Sequence, residues 1–341
     1  MTDLVVGGGA VGTLLAWALA TGGRDVAIVR RRHDGPPRRT RVAVADAAGR
    51  RDQAWVTEVR RPSDLGAAPV LIVFSVKMFD LPEAVESCAA WPSAAALTVS
   101  NGIGAEEIVG GLRDAGLIAG SVTSSVEMRE DGAVARLNRG GIGLAPVRGE
   151  VEPLVAALVE AFAGAGLRVM RYGDAAPMKW SKMVGNLVGN ATSAILDMSP
   201  AEVYSDAGAY RIERRQLLET FDVMRGLRLA PVALPGVDIR LLRLGLRLPV
   251  QVGRPIMRSF ISGARGRKDP SLRVHARLGS GPSEVEWLNG AVDREAKRLG
   301  RVTPVNRRLT ELVGEILADP DRRAWFRGRP DRLVADLERP G

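Results

Sequence analysis

The first half of the chain alternates short apolar runs with stretches whose apolar residues recur at helical spacing. This alternation is typical of a parallel α/β sheet. Residues 10–21 and 80–90 have the helical spacing, and the second stretch begins with Asp80 as a cap and Pro82 in its first turn. The apolar runs that predict strands are 3–6, 25–29, 42–45, 55–59, 70–76, 96–99 and 121–127.

The pattern changes near residue 150, after which helical periodicity dominates. Segment 166–171 predicts one last strand, and the Tyr172–Asp174 stretch predicts a turn, so we place a domain boundary at 172. The helical segments are 151–165, 177–198, 208–229, 284–299 and 304–318. These patterns predict an N-terminal sheet domain over 1–172, a helical domain over 173–320 and a C-terminal tail over 321–341. Residues 231–270, rich in Pro, Gly and Arg, predict a mobile loop with a short helix.

Composition agrees with two domains, because 341 residues exceed what one hydrophobic core usually serves. The longest apolar runs fall short of the roughly 18 residues that a membrane-spanning helix needs, so we expect no membrane partner and a cytoplasmic protein. The single Cys88 excludes an intrachain disulfide. Histidine is scarce, with only His33 and His275, which excludes a His-rich zinc site and favours lysine and carboxylates for acid–base chemistry. We expect no metal site.

The formal charge of +9 raises the question of a nucleic-acid partner. Neither zinc-finger spacing nor an aromatic RNA-binding motif accompanies this charge, and aromatic residues make up only 4% of the chain. We therefore expect no nucleic-acid partner and assign part of the charge to an arginine-rich composition. A phosphorylated ligand is the other kind of partner that a basic balance indicates.

A glycine-rich turn follows the first strand. Gly7, Gly9 and Gly12 have the G-x-G-x-x-G spacing, and Ala10 and Val11 lead into the helix that follows. The first glycine permits a tight turn, the second lets the backbone approach a pyrophosphate, and the third lets helix and strand pack closely. The spacing alone is a weak signal, but its place between a strand and a helix predicts a dinucleotide site.

The end of the second predicted strand indicates which dinucleotide binds. An NAD enzyme places a carboxylate there for the ribose 2′-hydroxyl, whereas a 2′-phosphate needs cations. Here the strand runs directly into Arg30, Arg31 and Arg32, with Asp34 as the first acid, although such a run can also be a solvated loop tip. Together with the glycine turn, it predicts NADPH as the cofactor.

Two polar residues follow strands at the same predicted edge of the sheet. Lys77 ends the run VLIVFSVK, and Asn101 follows ALTVS. In open α/β sheets, ligands lie beyond the carboxyl ends of the strands. A lysine after a strand is usually the start of a loop, but two polar residues beside a glycine motif suggest cofactor contacts.

A second polar cluster is predicted on a helix. Lys182, Asn186 and Asn190 are each four residues apart, which would align them along one face among apolar neighbours. Carbonyl reduction needs a cationic acid beside the substrate oxygen, so we assign Lys182 as the general acid. The stretch PSEVEWLNG predicts another helix start, with Ser283 as N-cap and Glu286 in a capping role.

These motifs together resemble the ketopantoate reductase family, the NADPH enzymes of pantothenate synthesis. The matching blocks are GGGAVG, the strand ending in Lys77, NGIG at 101–104, the W-S-K-x-x-x-N-x-x-x-N stretch at 180–190, PSEVEWLNG at 282–290 and TPVN at 303–306. The resemblance implies an oxidoreductase with an N-terminal Rossmann-type doubly wound sheet and a C-terminal all-helical domain like that of 6-phosphogluconate dehydrogenase. It also implies a small 2-oxo acid as substrate; a homodimer remains open.

Site roles follow from the resemblance by matching position. Lys182 resembles the catalytic lysine and Glu284 the acidic substrate ligand. The matches for other contacts are Asn186, Asn190 and Ser271 for the substrate, Arg31 and Lys77 for the cofactor phosphates, and Asn101 for nicotinamide and substrate.

The chain departs from the family in its substrate-facing half. The interval from Ser271 to Glu284 is one residue longer than usual, and Val274 and His275 replace a common Gln-Asp pair. Reductase chemistry is therefore better supported than ketopantoate itself. A paralogue that reduces another ketone, 2-oxo acid or imine, and a non-catalytic NADPH-binding sensor, remain as alternatives.

Overall fold

The computed structural model describes residues 1–32, 34–46, 48–265, 269–279 and 281–338. The chain forms two compact units. The first comprises Met1–Lys179 and Leu234–Val237, and the second comprises Trp180–Ala233 and Asp238–Gly341. The division thus falls inside a helix beyond residue 172, and a short segment near 235 returns to the first unit. There the Pro235 carbonyl accepts a hydrogen bond of 2.7 Å from the Thr123 hydroxyl.

The first unit is built on an eleven-stranded mixed sheet in the order β11-β10-β7-β6-β5-β1-β2-β4-β3-β9-β8. Its strands are β1 (Thr2–Val6), β2 (Asp25–Val29), β3 (Arg38–Ala45), β4 (Arg51–Val59), β5 (Leu71–Phe74), β6 (Ala95–Thr98), β7 (Leu117–Val122), β8 (Val126–Met128), β9 (Val134–Arg136), β10 (Gly141–Arg148) and β11 (Arg168–Arg171). The central run from β7 to β4 is parallel, whereas β10 pairs antiparallel with β7, and β3 with β4. The predicted Rossmann-type sheet is confirmed.

Helices cover the sheet because its strands are apolar on both faces. They are α1 (Ala10–Thr21), α2 (Leu81–Glu86), α3 (Ala105–Leu112) and α4 (Glu152–Gly164). Helix α1 and helix α4 share one core with the central strands, in which Leu14, Leu15 and Phe162 are fully buried. Burial of such side chains contributes about 1.5–3 kcal/mol each.

The sheet differs from the sequence prediction in its later strands. The predicted strand 121–127 is wrong in its bounds, because β7 ends at Val122 and a second strand starts at Val126. Helix α3 and strand β10 were not predicted. Helix α3 begins after Gly104, whose φ of +112° allows the chain to turn directly from the loop into the helix. Strand β10 contains two glycines and a proline, so its alternation of apolar and polar residues is weak.

The second unit is helical. After α5 (Ala175–Leu187), in which the unit boundary falls, its helices are α6 (Ala191–Leu196), α7 (Pro200–Ser205), α8 (Ala207–Gly226), α9 (Ile239–Arg247), α10 (Val250–Arg265), α11 (Ser271–Leu278), α12 (Asn289–Arg298), α13 (Pro304–Ala318), α14 (Pro320–Phe326) and α15 (Pro330–Leu337). Two residue pairs, β12 (Ala233–Leu234) and β13 (Val237–Asp238), form a small hairpin. The predicted all-helical C-terminal domain is confirmed.

The predicted single helix over 177–198 is wrong, because it breaks between Leu187 and Ala191. Gly189 adopts a left-handed φ of +58° there. Its N–H donates to the carboxylate of buried Glu213 at 2.7 Å instead of continuing the helix. A glycine and a buried acceptor from helix α8 therefore end α5.

Two segments left unassigned by periodicity are ordered elements of the second unit. Residues 231–270, expected to be a loop with a short helix, contain helices α9 and α10, although 266–268 lie outside the described residues. The expected tail 321–341 forms most of α14 and all of α15, with 339–341 outside the description. Phe326 and Leu333 are fully buried, which explains why these residues pack instead of extending into solvent. Among described residues, no helix is long and apolar enough to cross a membrane.

Candidate functional site

The glycine turn connects β1 directly to α1. Gly7 has a φ of +118°, and Gly9 is the residue before the first helical residue, Ala10. A Cβ on Gly12 would lie 1.8 Å from the Gly7 carbonyl oxygen, so only glycine fits where the helix crosses the turn. The Ser75 hydroxyl also donates to the Gly7 carbonyl at 3.0 Å. Ser75, the residue after strand β5, therefore packs against the inner side of the turn.

The outer side of the same turn is open. A Cβ added to Gly9 would meet no atom within 4 Å. This leaves space beside the first N–H groups of α1, near Ala10 and Val11. The first turn of α1 contains no acidic residue. Free backbone N–H groups at a helix N-terminus favour a phosphate. The turn thus fits a dinucleotide pyrophosphate.

The other predicted cofactor contacts of the first unit lie along the same edge of the sheet. Strands β6, β5, β1 and β2 are neighbours and run parallel, so their carboxyl ends align. Asn101, Lys77, the glycine turn and Arg31 follow these four strands in that order. Asn101 and Lys77 are exposed. The sheet therefore brings together, at one edge, residues that are distant in sequence.

The arginine run contains two different environments. Arg30 is half-buried, and its Nε lies 3.0 Å from Oε1 of Glu58 on strand β4. Arg31 is 69% exposed and makes a loose contact of 3.7 Å to Glu83. Glu58 also binds Arg38 at 3.1 Å. Sequence reasoning missed Glu58, because β4 is adjacent to β2 in the sheet but follows it by some thirty residues in the chain.

Helix α5 carries two of the three residues expected on one stripe. Lys182 and Asn186 are half-buried and one turn apart in α5, between the buried side chains of Met183 and Val184. Asn190 does not continue the stripe, because it lies past the helix break at the N-cap position of helix α6. Its alignment with the other two residues was wrong.

Asn190 instead contacts the segment that contains Ser271. Its Oδ1 accepts a 3.1 Å hydrogen bond from the backbone N–H of Leu272, and Asn190 is only 4% exposed. Ser271 is the exposed first residue of helix α11. The amide therefore fixes the start of α11 and, with it, the position of Ser271.

Helix α11 is held by charges in the segment where the chain departs from the family pattern. Arg273 is buried and binds Asp197 at 3.1 Å and Asp269 at 2.7 Å. Burial raises the pKa of Asp197, but hydrogen bonds from Arg277 and Arg273 outweigh burial and hold it below its usual range. His275 lies within 3.2 Å of the Gly281 carbonyl oxygen. One of the altered residues, His275, thus contacts the segment that follows α11.

Glu284 is 5% exposed and begins a short 3-10 helix that ends at Trp287. The Ser283 hydroxyl accepts a 3.2 Å hydrogen bond from the Val285 N–H, which confirms its predicted capping role. Glu286 is exposed and pairs loosely with Arg294 at 3.8 Å. The two glutamates of this segment therefore differ, because one is buried and the other faces solvent.

Two further motif residues form a buried amide network. Asn289 Nδ2 donates to Asn306 Oδ1 at 3.0 Å and to Gln216 Oε1 at 2.8 Å. Asn306 Nδ2 donates in turn to Glu219 at 2.8 Å. Burial raises the pKa of Glu219, although hydrogen bonds from Asn306 and Val305 oppose the shift. The blocks NG at 289–290 and TPVN thus join helices α8, α12 and α13.

Comparison with known proteins identifies the fold and its motifs. The family model for ketopantoate reductase PanE/ApbA matches residues 4–149, and the model for the C-terminal part of the same family matches residues 174–317. The chain belongs to the ketopantoate reductase family. It is therefore an oxidoreductase of the ketopantoate reductase type, in a family that works with a nicotinamide cofactor.

Relatives of this ketopantoate reductase family member cover nearly its whole length. The 2-dehydropantoate 2-reductase of Halobacterium salinarum is 26% identical over 328 residues, which are 92% of this chain and 98% of that protein. A PanE/ApbA family ketopantoate reductase structure from Ralstonia eutropha has a TM-score of 0.75 at 25% identity and covers 95% of this chain and 100% of its own. D-mandelate dehydrogenase with NADH and anilino(oxo)acetate has a TM-score of 0.72 at 19% identity, covering 93% and 99%.

Within the described part of the chain, no group of three or more His, Cys, Asp or Glu side chains is arranged to hold a metal ion.

Proposed function

We propose that this ketopantoate reductase family member uses NADPH to reduce the ketone of a small 2-oxo acid, with ketopantoate as the first substrate to test. The observation that carries the proposal is the half-buried Lys182 on helix α5, in a chain whose curated relatives are named 2-dehydropantoate 2-reductase. A lysine backed by apolar side chains is suited to donate a proton to a developing alkoxide. Cytoplasmic location and a homodimer stay predictions.

The pyrophosphate of the cofactor would bind at Gly7, Gly9, Ala10, Val11 and Gly12. The open space beside Gly9 and the N–H groups at the start of α1 support this assignment. NADPH, when bound, supplies the hydride. Lys77 and Asn101 follow the two neighbouring strands, so they would contact the cofactor along the same edge.

Lys182 would stabilise the negative charge on the ketone oxygen and give it a proton. Asn186, one turn later on the same helix, would donate a second hydrogen bond. Ser271 would bind the substrate carboxylate, with Asn190 holding the start of its helix. A substrate without a carboxylate would lose the Ser271 contact.

Glu284 would orient the substrate rather than exchange protons with it. Glu284 is 5% exposed, and a carboxylate buried on a short helix is an acceptor held in a fixed position. The hydroxyl group of ketopantoate is a donor of the right kind. Removal of Glu284 should therefore weaken substrate affinity as well as rate.

Arg31 is the residue to which we assign the 2′-phosphate of NADPH. Arg30 is neutralised by Glu58, whereas Arg31 is largely exposed. A charge-assisted hydrogen bond to a phosphate contributes about 1.5–3 kcal/mol. NADPH should therefore bind more tightly than NADH, and Arg31→Ala should narrow the difference chiefly by weakening NADPH.

The test is a substrate panel with the purified full-length chain, followed by absorbance of the reduced cofactor. Ketopantoate, its methyl ester, an aryl 2-oxo acid and a neutral ketone are each offered with NADPH and with NADH. We expect turnover of ketopantoate with NADPH and none of the ester. Equal use of NADH would refute the cofactor assignment, and inactivity of every 2-oxo acid would refute the substrate class.

A second candidate is a different 2-oxo acid. Val274, which replaces the common glutamine, is exposed beside the α11 start, and His275 follows it. These substitutions favour a substrate with a larger or less polar side chain. Higher kcat/KM for the aryl 2-oxo acid than for ketopantoate would select this candidate. NADPH binding without turnover of any carbonyl compound would select the sensor.

A further inference from the structure

A buried ion pair lies beneath the edge of the sheet that carries Asn101. Lys179, on helix α5, is 5% exposed. Its Nζ lies 3.1 Å from Oε1 of Glu106 and donates to the Ser100 carbonyl oxygen at 3.1 Å. No local sequence pattern links the two residues, because Lys179 and Glu106 are far apart in the chain and Glu106 lies on helix α3, which periodicity did not predict.

The Lys179–Glu106 pair belongs to a hydrogen-bond network at the carboxyl ends of strands β5 and β6. Glu106 is in the first turn of α3, and its Oε1 also accepts a 2.5 Å hydrogen bond from Thr98, the last residue of β6. The Ser100 hydroxyl donates to the Val76 carbonyl at 2.8 Å. Val76 and Ser100 directly precede Lys77 and Asn101. Both expected cofactor contacts therefore start from backbone that this network fixes.

We infer that Lys179 is a positioning residue for hydride transfer, which sets the orientation of Asn101 through the Ser100 carbonyl. Replacing a buried ion pair by apolar side chains is often neutral or stabilising, so stability alone does not explain a charged pair here. What an apolar pair would lack is a donor for the Ser100 carbonyl. That carbonyl belongs to the peptide group between Ser100 and Asn101. Its hydrogen bond therefore fixes the orientation of this peptide group and with it the backbone position of Asn101.

The first unit offers a matched control at the other end of the same strand. Arg113 is also buried, at 7% exposure, and donates to the carbonyls of Cys88 and Ala94 at 3.0 Å each. Ala94 immediately precedes β6, whereas Ser100 lies just after the strand. Both cations therefore hold loop carbonyls, but only Lys179 does so at the edge where Asn101 lies.

The inference rests on the proposed function, so the unmodified protein is assayed first. If it reduces no 2-oxo acid, the proposed function fails before Lys179 is tested. With an active protein, Lys179→Met/Glu106→Gln removes both charges and avoids a buried unpaired carboxylate. Lys179→Arg keeps a cation and donors. Arg113→Met is the control, and thermal unfolding identifies the variants that remain folded.

The expected result for folded Lys179→Met/Glu106→Gln is a fall in kcat of about 10-fold to 10²-fold, the loss typical of a reacting group displaced by about 1 Å. NADPH affinity should change by less than about threefold, because the glycine turn and Arg31 follow β1 and β2, and the Ser100 hydroxyl keeps its bond to Val76, which precedes Lys77. The isotope effect with cofactor deuterated at the transferred position should rise as hydride transfer becomes slower. Lys179→Arg should recover part of kcat.

Arg113→Met should lower the unfolding temperature and leave kcat and the isotope effect unchanged. Unchanged kcat and isotope effect in folded Lys179→Met/Glu106→Gln would overturn the inference. So would an Arg113→Met variant with the same loss of kcat, because both cations would then act only through stability. If the double variant does not fold, the Lys179→Arg variant provides the test. A lowered kcat with an unchanged isotope effect would overturn the inference, because a step other than hydride transfer would then be slower. A raised isotope effect would support it.

Discussion

The two units use the residues of their sequence motifs in different ways. In the first unit, the glycine turn, Lys77 and Asn101 lie at the carboxyl ends of adjacent parallel strands, and the last two are exposed. In the second unit, Asn190, Asn289 and Asn306 are buried and hydrogen-bonded to other parts of the protein. Motif residues of the first unit thus lie at the strand ends where we propose that the cofactor binds, whereas several of the second hold helices together.

The difference follows from the architectures. A parallel sheet aligns all its strand ends by hydrogen bonding, so residues after the strands reach one edge without further support. Helices have no such common edge, and their relative positions depend on side-chain contacts. A helical unit that must position Lys182, Ser271 and Glu284 on three different elements therefore needs buried polar networks to do so. Family motifs there combine residues to which we assign substrate contacts with residues that hold the helices in place.

The largest expected effect is that of Lys182→Ala on turnover. Loss of a general acid typically costs 10²–10⁴ in rate, about 3–5 kcal/mol. NADPH affinity should stay within about threefold, because the phosphate-binding residues belong to the other unit. Titration of cofactor fluorescence and steady-state kinetics measure the two effects. Lys297→Ala, at an exposed lysine on α12, is the control and should leave both values unchanged.

A folded Lys182→Ala variant with near-normal turnover would remove this lysine from the mechanism. The assignment of the second unit as the source of the acid would then fail as well.

Substitutions in the glycine turn have the next largest expected effect. They separate an effect on stability from an effect on cofactor binding within the first unit. Gly12→Ala places a methyl group 1.8 Å from the Gly7 carbonyl oxygen and should destabilise the protein by about 1–3 kcal/mol or more. Gly9→Ala meets no protein atom, so stability should be retained while the methyl group occupies the space proposed for the pyrophosphate. NADPH affinity should then fall by about tenfold, equal to about 1.4 kcal/mol.

Thermal unfolding and cofactor titration of both variants test this separation. Normal NADPH affinity in Gly9→Ala would show that the pyrophosphate does not approach this side of the turn.

Local sequence patterns predicted the start of the first unit well, because the residues that specify its first strand, turn and helix are adjacent in the chain. The strand, glycine turn and helix over residues 3–21 are contiguous, so their order and spacing specify the turn. Glu58 shows the limit of this reasoning. It reaches Arg30 from a strand that is adjacent only in the folded sheet, and no sequence pattern links the two residues.

The second unit was harder to predict because periodicity does not show where a helix ends inside an apolar run. The stripe through Lys182 and Asn186 was placed correctly on one helix, but the break before Asn190 depends on Glu213 in helix α8. The terminal helix α15 was missed for a similar reason. Its stability comes from the burial of Leu333 and from ion pairs to α13, neither of which is visible in its own sequence.

A third prediction concerns two kinds of amide side chain in the second unit: those that hold helices in place and those to which we assign a substrate contact. Asn289→Ala removes two buried hydrogen bonds, leaves Gln216 and Asn306 without that donor, and should cost about 1–3 kcal/mol of stability. Asn186→Ala, on the half-buried face of α5, should lower kcat with a smaller effect on unfolding. Urea unfolding and kinetics of the two variants provide the comparison. A reversed pattern, with Asn186→Ala the less stable and Asn289→Ala the less active, would contradict the division.

The smallest expected effect concerns the C-terminal helices and depends on pH. Asp336 of α15 binds Arg308 at 2.6 Å and Arg322 at 3.1 Å. Burial alone would raise the pKa of Asp336, but the two guanidinium groups outweigh it and hold the pKa below its usual range. The stabilisation is therefore fully present above the unfolded-state pKa of about 3.9 and is lost as the pH falls through the lower folded-state pKa. At pH 7, Asp336→Asn should cost about 1 kcal/mol, since the arginines remain partly exposed.

Urea unfolding of the protein and of Asp336→Asn at pH 7 and at pH 3 measures this difference. The two proteins should differ most at pH 7 and less at pH 3, because the stabilisation by the ionised Asp336 begins to be lost as the pH falls below the unfolded-state pKa. Asp331→Asn, in an exposed pair with Arg329, should show little change at either pH because solvent screens that pair. A difference for Asp336→Asn that is the same at both pH values would indicate that the carboxyl group acts through packing or neutral hydrogen bonds. NADPH affinity should be unaffected throughout, because the ion pairs lie in the second unit and the cofactor contacts in the first.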